Sequence, residues 1–229
     1  MARFRYDRLA DAKPGDLLEL DRTEASHLFK ILRARPGETA GLLDGKGNTG
    51  SATVTENRML RLDSVETIPF PHRRIHLYLA PPRRQKMDQL LKEAAELGVY
   101  RIVPMICERS VALPDADSAD RQNDLLFEAC KQSGNPYLPR LEVPVKFSQA
   151  VQDAVERSCL CCFGSPYESD LAGLENAADV AFFVGPEGGF SGQEEQQMRS
   201  AGFHSMRIGP WILRVETAAI AGIARLWAD

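Results

Sequence analysis

The sequence is poor in cysteine and histidine, and neither residue is spaced as in a metal-binding motif. Its 229 residues include five cysteines, which is an odd number, and four histidines. No two cysteines have the spacing of a zinc site, and an odd count argues against a disulfide framework. We therefore expect reduced thiols, as in the cytoplasm, and no bound metal.

Long apolar segments are also missing. No run of residues approaches the roughly 18–20 apolar residues that cross a membrane. The N-terminal segment, MARFRYDRLADAK, contains no apolar stretch of the kind that forms a secretory signal. We expect a cytoplasmic protein without membrane association.

A strong excess of one charge is absent as well. The chain has 28 basic and 32 acidic side chains and a formal net charge of −4, whereas nucleic-acid-binding domains are usually strongly basic. Residues 1–74 carry a small basic excess and residues 75–229 an acidic one. A polyanion must therefore be bound by a local cluster of cations and not by the field of the whole molecule.

The residues that are present suffice for a substantial core, and they follow two patterns along the chain. With 44% hydrophobic and 26% charged residues, we expect one large domain or two ordinary ones. Residues 1–70 contain short β segments between turns, and only 24–35 has a helical pattern. This half predicts a small β-barrel, and the two prolines within 67–71 predict the linker that follows it.

After residue 74 the pattern changes to alternating strands and helices. Continuous apolar runs predict strands at 159–163 and 180–184, and further strands are expected at 75–79, at 101–105 and, as a short last strand, at 206–208. Helical spacing predicts helices at 86–97, 121–131 and 217–227. Such alternation is typical of an α/β domain with a mostly parallel sheet.

The most informative segment is Gly185–Ser191, which directly follows the predicted strand 180–184. Ligands bind to α/β sheets at the carboxyl ends of the strands, and glycine leaves room for a ligand beside the backbone. The segment is neither a Walker motif nor a dinucleotide-binding motif. Residue types alone leave two interpretations open, a ligand loop or a tight connection. Ser191 and Glu194 fit a helix capping box.

A second segment, Ile208–Ala218, has Gly-Pro after a predicted strand and then two charged residues before an apolar helix. Glu216 suits the start of a helix, because the helix dipole favours a negative charge there. Arg214 does not, since a cation is electrostatically unfavourable at that end. We therefore expect Arg214 to serve an anion or a partner carboxylate.

Several other polar residues form weaker patterns. His27, Lys30 and Arg33 recur at helical spacing, and a small basic face of this kind can contact phosphates. The second half adds Lys86, Arg109, Arg121 and Gln132. An ordinary solvated surface explains each of these residues as well.

Taken together, these segments resemble the RsmE family, whose members methylate N3 of one uridine in small-subunit ribosomal RNA and belong to the SPOUT methyltransferases. The resemblance rests first on Gly185–Ser191 with Glu194 and on Ile208–Ala218. It extends in order through His27, Leu32-Arg33, Asp44–Gly47, Lys86, Ala95–Gly98, Glu108–Ser110, Glu128-Ala129 and Gln132-Ser133. Two positions depart from the family pattern: Asn135 replaces the usual Arg, and Val215 replaces the usual Thr.

The resemblance implies an architecture, a cofactor and a partner. It implies a PUA-like β-barrel that binds RNA at 1–70 and a SPOUT methyltransferase domain at 74–229, with a trefoil knot in its C-terminal part. It implies a homodimer that uses S-adenosylmethionine and acts on the ribosomal RNA of the small ribosomal subunit. The implied cofactor-binding residues are Leu79, Val184, Gly185, Pro186, Glu187, Gly188, Gly189, Ile208, Gly209, Ile212 and Leu213. The implied RNA-binding residues are His27, Lys30, Arg33, Lys86, Arg109, Arg121 and Gln132.

The implied catalytic residues are Arg214, Glu216 and Glu187. Methyl transfer to uridine requires loss of the N3 proton, and Arg214 would stabilise the negative charge that spreads onto the uracil oxygens. Glu216 or Glu187 would take the proton or orient Arg214, and the sequence does not decide between them. Val215 lacks the hydroxyl of the threonine that is usual in the family, so we assign this chain no role that depends on that hydroxyl.

Two other interpretations remain open at this stage. One is a related SPOUT methyltransferase that modifies a ribose 2′-hydroxyl or transfer RNA. The other is an RNA-binding ribosome-assembly factor without catalytic activity, which the net charge of −4 and Asn135 favour. The presence of Arg214 and of the complete Gly185–Gly189 loop argues against the second.

Overall fold

A computed structural model describes residues 1–113, 118–157 and 159–228. The chain packs into two compact units, one formed by Met1–Phe70 with Phe127–Leu138 and the other by Pro71–Leu126 with Pro139–Asp229. The segment 127–138, which the expected domain limits place in the second domain, thus packs with the first unit. The limits of 1–70 and 74–229 stay predictions.

The first unit contains a five-stranded sheet with the strand order β1-β3-β4-β5-β2. Its strands are β1 Arg3–Arg5, β2 Leu17–Leu18, β3 Thr39–Leu43, β4 Asn48–Val54 and β5 Leu60–Thr67. Strand β1 is parallel to β3, and the other neighbours are antiparallel. Buried apolar side chains, among them Phe4, Leu42 and Leu60, form the core of this unit.

The helix of the first unit differs from the prediction for 24–35. Helix α1, Arg22–Ser26, begins earlier because Asp21 caps it: the carboxylate accepts hydrogen bonds from the backbone N–H groups of residues 23 and 24. A single π-helical turn, His27–Ile31, follows it. The chain then leaves the helix at Arg33, whose φ of 55° is left-handed. His27, Lys30 and Arg33 therefore do not lie on one regular helix.

The second unit is built on a parallel sheet with the strand order β12-β10-β11-β6-β7-β8, and β9 also pairs with β7. Its strands are β6 Arg74–Leu79, β7 Arg101–Ile106, β8 Arg140–Leu141, β9 Val145–Lys146, β10 Leu160–Gly164, β11 Asp179–Val184 and β12 His204–Met206. The predicted α/β class is confirmed, with the last strand two residues before the predicted 206–208. The loops after β10, β11 and β12 all leave the sheet at its carboxyl edge. The trefoil knot stays a prediction.

The helices of the second unit are α2 Arg84–Glu96, the first part of α3 Ala119–Ser133, α4 Phe147–Glu156, α5 Gly192–Ser200 and α6 Val215–Ala228. The sequence analysis did not predict α4. Helix α6 approaches the sheet at Gly222, where a Cβ would overlap the ring of Phe182. The fully buried Arg73 donates to the carbonyl oxygens of Leu174 and Leu226 and so fixes α6. Among the described residues, each helix is too short or too polar to cross a membrane.

Candidate functional site

The two glycine-containing segments meet in one cavity of about 440 Å³ at the carboxyl edge of the parallel sheet. The loop after β11 and the loop after β12 both line it, together with Arg109 and the start of helix α6. A third wall is formed by Gly164 at the end of β10 and by the loop that follows it, Ser165–Tyr167. The volume lies within the range of roughly 300–1,000 Å³ that is typical of small-molecule sites.

Most of the expected cofactor-binding residues line this cavity. They are Val184, Gly185, Pro186, Glu187, Gly188, Gly189, Ile208, Gly209, Ile212 and Leu213. Leu79 is not among the lining residues, because it is fully buried beside Val184 in the neighbouring strand. Its contact with a cofactor stays a prediction.

The sequence analysis missed the wall formed by Ser165, Pro166 and Tyr167. A signal was present, since Gly164 and Pro166 follow an apolar run much as Gly185-Pro186 follow theirs. The parallel pairing of β10 with β11 places these two strand ends side by side. The pattern of a strand followed by a glycine and a proline therefore marks a third loop of the same cavity.

The loop after β11 is shaped by its glycines. Gly189 has a left-handed φ of 69°, and its N–H donates to the carbonyl oxygen of Pro186 at 2.8 Å, which closes a tight turn. A Cβ on Gly188 would come within 3.3 Å of the Arg109 side chain. The turn and the close approach leave backbone groups exposed along the cavity wall.

Two side chains hold this loop in place. The Arg109 guanidinium donates to the carbonyl oxygens of Gly188 at 3.0 Å and Phe190 at 3.3 Å. The buried Glu194 carboxylate accepts from the backbone N–H of Ser191 at 2.8 Å and from that of Glu108 at 2.8 Å. The capping box predicted for residues 191–194 is confirmed. Arg109 thus supports the cavity loop, and its contact with RNA stays a prediction.

Glu216 is paired with a lysine from another helix. Its Oε1 lies 2.6 Å from Nζ of Lys86, and the two residues occupy the first turns of α6 and α2. The hydrogen bond from Lys86 is the main reason that the pKa of Glu216 is lowered, and the positive charge of Arg214 adds to it. Glu216 is therefore ionised at neutral pH. A carboxylate with a lowered pKa is a weak proton acceptor.

Arg214 and Glu187 present their charged groups to solvent. Both side chains are exposed, and Glu187 lines the cavity. Across residues 1–113, 118–157 and 159–228, the Arg214 guanidinium has no hydrogen-bond or ion-pair partner apart from its longer-range attraction to Glu216. Glu187 thus offers a carboxylate inside the cavity, whereas Arg214, the residue before α6, and Glu216 are not among the residues that line it.

The expected RNA-binding residues lie in both units and differ in their surroundings. In the first unit Lys30, Arg33 and Gln132 are exposed, and His27 packs edge-on against Phe4 with ring centroids 5.7 Å apart. In the second unit Arg121 makes two hydrogen bonds to the carboxylate of Asp88, at 2.6 and 2.9 Å. The guanidinium of Arg121 is therefore largely satisfied within the protein. The RNA contacts of all these residues stay predictions.

Comparison with known proteins agrees with this geometry. A family model described as an RNA methyltransferase domain matches residues 69–227, and a model described as an RNA methyltransferase PUA domain matches residues 20–58. The ribosomal RNA small subunit methyltransferase E of Aquifex aeolicus is 31% identical over 95% of this chain and 96% of its own length. The protein of the same name from Synechocystis sp. is 25% identical over 90% of this chain and 71% of its own length.

A solved structure extends the likeness to the whole fold. The ribosomal RNA small subunit methyltransferase E from Neisseria gonorrhoeae, bound to S-adenosyl methionine, aligns with a TM-score of 0.88 and 30% identity. The alignment covers 100% of this chain and 97% of that chain. The α/β fold with an N-terminal PUA-like domain is confirmed. The chain belongs to the ribosomal RNA small subunit methyltransferase E family of RNA methyltransferases.

Proposed function

We propose that this protein transfers the methyl group of S-adenosylmethionine to N3 of a uridine in the 16S ribosomal RNA of the small subunit, in the cytoplasm. The observation that carries the proposal is the single cavity into which the loops after β11 and β12 fold. The relative from Neisseria gonorrhoeae contains this cofactor.

The residues around the cavity fit S-adenosylmethionine. Val184, Ile208 and Leu213 provide apolar walls for an adenine ring, and backbone groups of the Gly185–Gly189 loop that are not bonded within the protein provide donors and acceptors for its edge. When bound, the cofactor supplies an electrophilic methyl group on its sulfonium. The chain itself must place the uracil N3 in line with that group, and placement of this kind is worth about 7–11 kcal/mol.

The three expected catalytic residues receive different roles in this proposal. Arg214, with its exposed guanidinium, stabilises the negative charge on the uracil oxygens as N3 loses its proton. Glu216 is held ionised by Lys86 at 2.6 Å and orients Arg214 by charge. Glu187, which lines the cavity, takes the proton. The pairing of Glu216 with Lys86 is the reason for choosing Glu187.

RNA recognition is proposed to come from the basic residues on each unit. The target base must leave any stacked or paired arrangement to expose N3. The exposed Lys30 and Arg33 are suited to contact phosphates, which position an RNA without reading its sequence. Lys86 and Arg109 primarily support the site itself, because Lys86 pairs with Glu216 and Arg109 donates to the carbonyl oxygen of Gly188.

A homodimer is part of the proposal. Three large side chains beside the cavity, Tyr167, Trp211 and Ile212, are 79%, 79% and 78% exposed. An exposed apolar cluster of this kind marks a surface that another protein covers. A second copy of the chain would cover it. Light scattering after size exclusion tests this point, and a monomer that nevertheless methylates RNA would contradict it.

The decisive experiment measures methyl transfer from labelled S-adenosylmethionine to 30S particles and to naked 16S RNA. Digestion and mass spectrometry should identify 3-methyluridine. A 2′-O-methylated nucleoside, or label in transfer RNA instead, would establish the related SPOUT activity and overturn the proposal. Cofactor binding without any transfer would leave the assembly-factor interpretation.

A further inference from the structure

Two arginines of the first unit have a backbone conformation that side chains rarely adopt. Among the described residues, Arg33 and Arg58 are the non-glycine residues with a positive φ, of 55° and 58°. Arg33 follows the helical turn that carries Lys30, and Arg58 lies in the connection between β4 and β5. Strained residues of this kind cluster at functional sites. We propose that Arg58 joins Lys30 and Arg33 in one surface that binds RNA phosphates.

The turn between β4 and β5 fixes the position of Arg58. The N–H of Thr55 donates to the carbonyl oxygen of Met59 at 2.9 Å, and the N–H of Arg58 donates to that of Thr55 at 3.1 Å. The Thr55 hydroxyl also accepts from the N–H of Met59 at 3.2 Å. These bonds keep Arg58 in a left-handed conformation in which glycine or asparagine is usual. The turn therefore presents an arginine where a smaller residue would suit the backbone better.

An aromatic contact brings Arg58 to the turn that carries Lys30. The Cζ atom of Arg58 lies 4.9 Å from the centroid of the Phe29 ring, and Phe29 belongs to the π-helical turn His27–Ile31. The ring is half-buried against the core of the first unit, so it is a fixed platform. A guanidinium stacked on a ring keeps its N–H groups free for an oxygen ligand and loses less freedom when it binds one.

The three cations have no carboxylate partner. Within the part of the chain that the structure describes, the side chains of Lys30, Arg33 and Arg58 are exposed and form no ion pair or hydrogen bond. By contrast, Arg61 in the same hairpin lies 3.8 Å from Asp63. Unpaired cations around one turn repel each other, and a polyanion that binds there relieves this repulsion.

RNA fits this surface better than an acidic protein does. Ile31 and Leu32, which directly follow Lys30, are exposed, and apolar side chains beside phosphate-binding cations can contact bases. The chain belongs to a family of RNA methyltransferases, so RNA is the polyanion that it meets. The inference rests on the proposed function in this respect, and it adds the tip of the β4–β5 hairpin to the residues that hold the substrate.

Binding of 16S ribosomal RNA at increasing salt concentration tests this surface. Each phosphate contact releases counterions, so the logarithm of the affinity falls with the logarithm of the salt concentration, and the slope reflects the number of contacts. Arg58→Gln should make this slope shallower by about 1 and weaken binding by about three- to tenfold. Arg61→Gln removes the same charge from a paired arginine of the same hairpin, and it should leave both quantities unchanged.

A second variant separates binding from folding. Arg58→Gly removes the cation but suits the left-handed backbone, so the midpoint of urea unfolding should not fall. Its salt dependence should match that of Arg58→Gln. Weaker RNA binding by a variant that is as stable as the unmodified chain can then be assigned to the lost guanidinium.

An unchanged slope in Arg58→Gln, or an equal change in Arg61→Gln, would overturn the surface. A loss that is seen with 30S particles but not with naked 16S RNA would also overturn it, because the contact would then be with a ribosomal protein. If the unmodified chain methylates its RNA and the variants bind as it does, this inference alone fails. If the unmodified chain does not bind RNA, the proposed function fails with it.

Discussion

The two edges of the parallel sheet are built from the same strands, but their charged side chains differ in exposure and pairing. At the carboxyl edge the strands end in glycine-containing loops, and Arg214 and Glu187 are exposed. At the amino edge Arg101, the first residue of β7, is buried and shares Asp153 with the hydroxyl of the buried Tyr78, at 2.7 and 2.5 Å. Burial and the hydrogen bond to Asp153 hold the Tyr78 hydroxyl protonated by raising its pKa far above the ordinary range.

The difference separates function from stability within one sheet. A charged group that is already paired inside the protein stabilises a substrate only weakly. An exposed and unpaired group can stabilise an opposite charge that develops during the reaction. The carboxyl edge should therefore lose activity when its charges are removed. The amino edge should lose stability.

The largest expected effect is on the proton acceptor. Glu187→Gln should lower kcat by about 10²–10⁴-fold, because the amide cannot take the N3 proton. Single-turnover methylation of 30S particles measures it, with the exposed Glu175→Gln as the control variant. An activity close to that of the unmodified protein would move the role of proton acceptor to another group.

The next effect concerns Arg214. Arg214→Ala should lower kcat by about 10²–10³-fold, which is the usual loss when a group that stabilises a developing negative charge is removed. Calorimetry should show an unchanged affinity for S-adenosylmethionine, and Arg214→Lys should recover part of the rate. An equal loss of rate and cofactor affinity would mean that Arg214 shapes the cavity instead.

Removing a buried cation at the other edge should affect stability alone. Arg101 donates to Glu142 and Asp153, both at 2.7 Å, and these two carboxylates are partly exposed, which weakens each pair. Arg101→Met should therefore lower the free energy of unfolding by about 2 kcal/mol. Urea denaturation measures this loss, and the S-adenosylmethionine affinity of the folded fraction should not change. A matched loss of affinity would show that the two edges are coupled.

A smaller and more specific effect is expected at Lys86. Because Lys86 lowers the pKa of Glu216, Lys86→Met should raise that pKa, and Glu216 should then become protonated at a higher pH than in the unmodified protein. The acid limb of the kcat profile should move to higher pH. Lys86→Arg should restore its position. If Lys86 instead contacts RNA, the KM for RNA should rise and its salt dependence should weaken, while the pH profile should stay in place.

Local sequence patterns predicted five of the seven described strands of the parallel sheet, all except β8 and β9, whereas the resemblance to the RsmE family supplied most of the cavity residues. Glycine and proline directly after an apolar run predict the loop at Gly185, because a turn of this kind depends on residues that are adjacent in the sequence. Patterns of this kind could not show that Lys86 pairs with Glu216, since that contact depends on how helices α2 and α6 pack against each other.

The boundary of the helix in the first unit shows a second limit. The apolar spacing of residues 28, 31 and 32 predicted a regular helix through 35, but the chain turns at Arg33 with a left-handed φ. The contacts of Phe127–Leu138 with the first unit are likewise invisible to periodicity, because helix α3 continues without a break from Ala119 to Ser133. A helix pattern predicts which residues are helical and not which unit they pack against.

The smallest expected effect lies where the carboxyl-edge loop joins helix α5. The Ser191 hydroxyl accepts a hydrogen bond from the backbone N–H of Glu194 at 3.3 Å, and the Glu194 carboxylate accepts one from the backbone N–H of Ser191. Ser191→Ala should lower the free energy of unfolding by about 1 kcal/mol, the usual value of such a cap, whereas the exposed Ser200→Ala should change it by less than about 0.5 kcal/mol. The affinity for S-adenosylmethionine should stay the same, since Glu194 still bonds to the backbone N–H groups of Ser191 and Glu108. If affinity falls together with stability, the hydroxyl itself holds the cavity loop, and the carboxyl edge depends on its buried polar groups as the amino edge does.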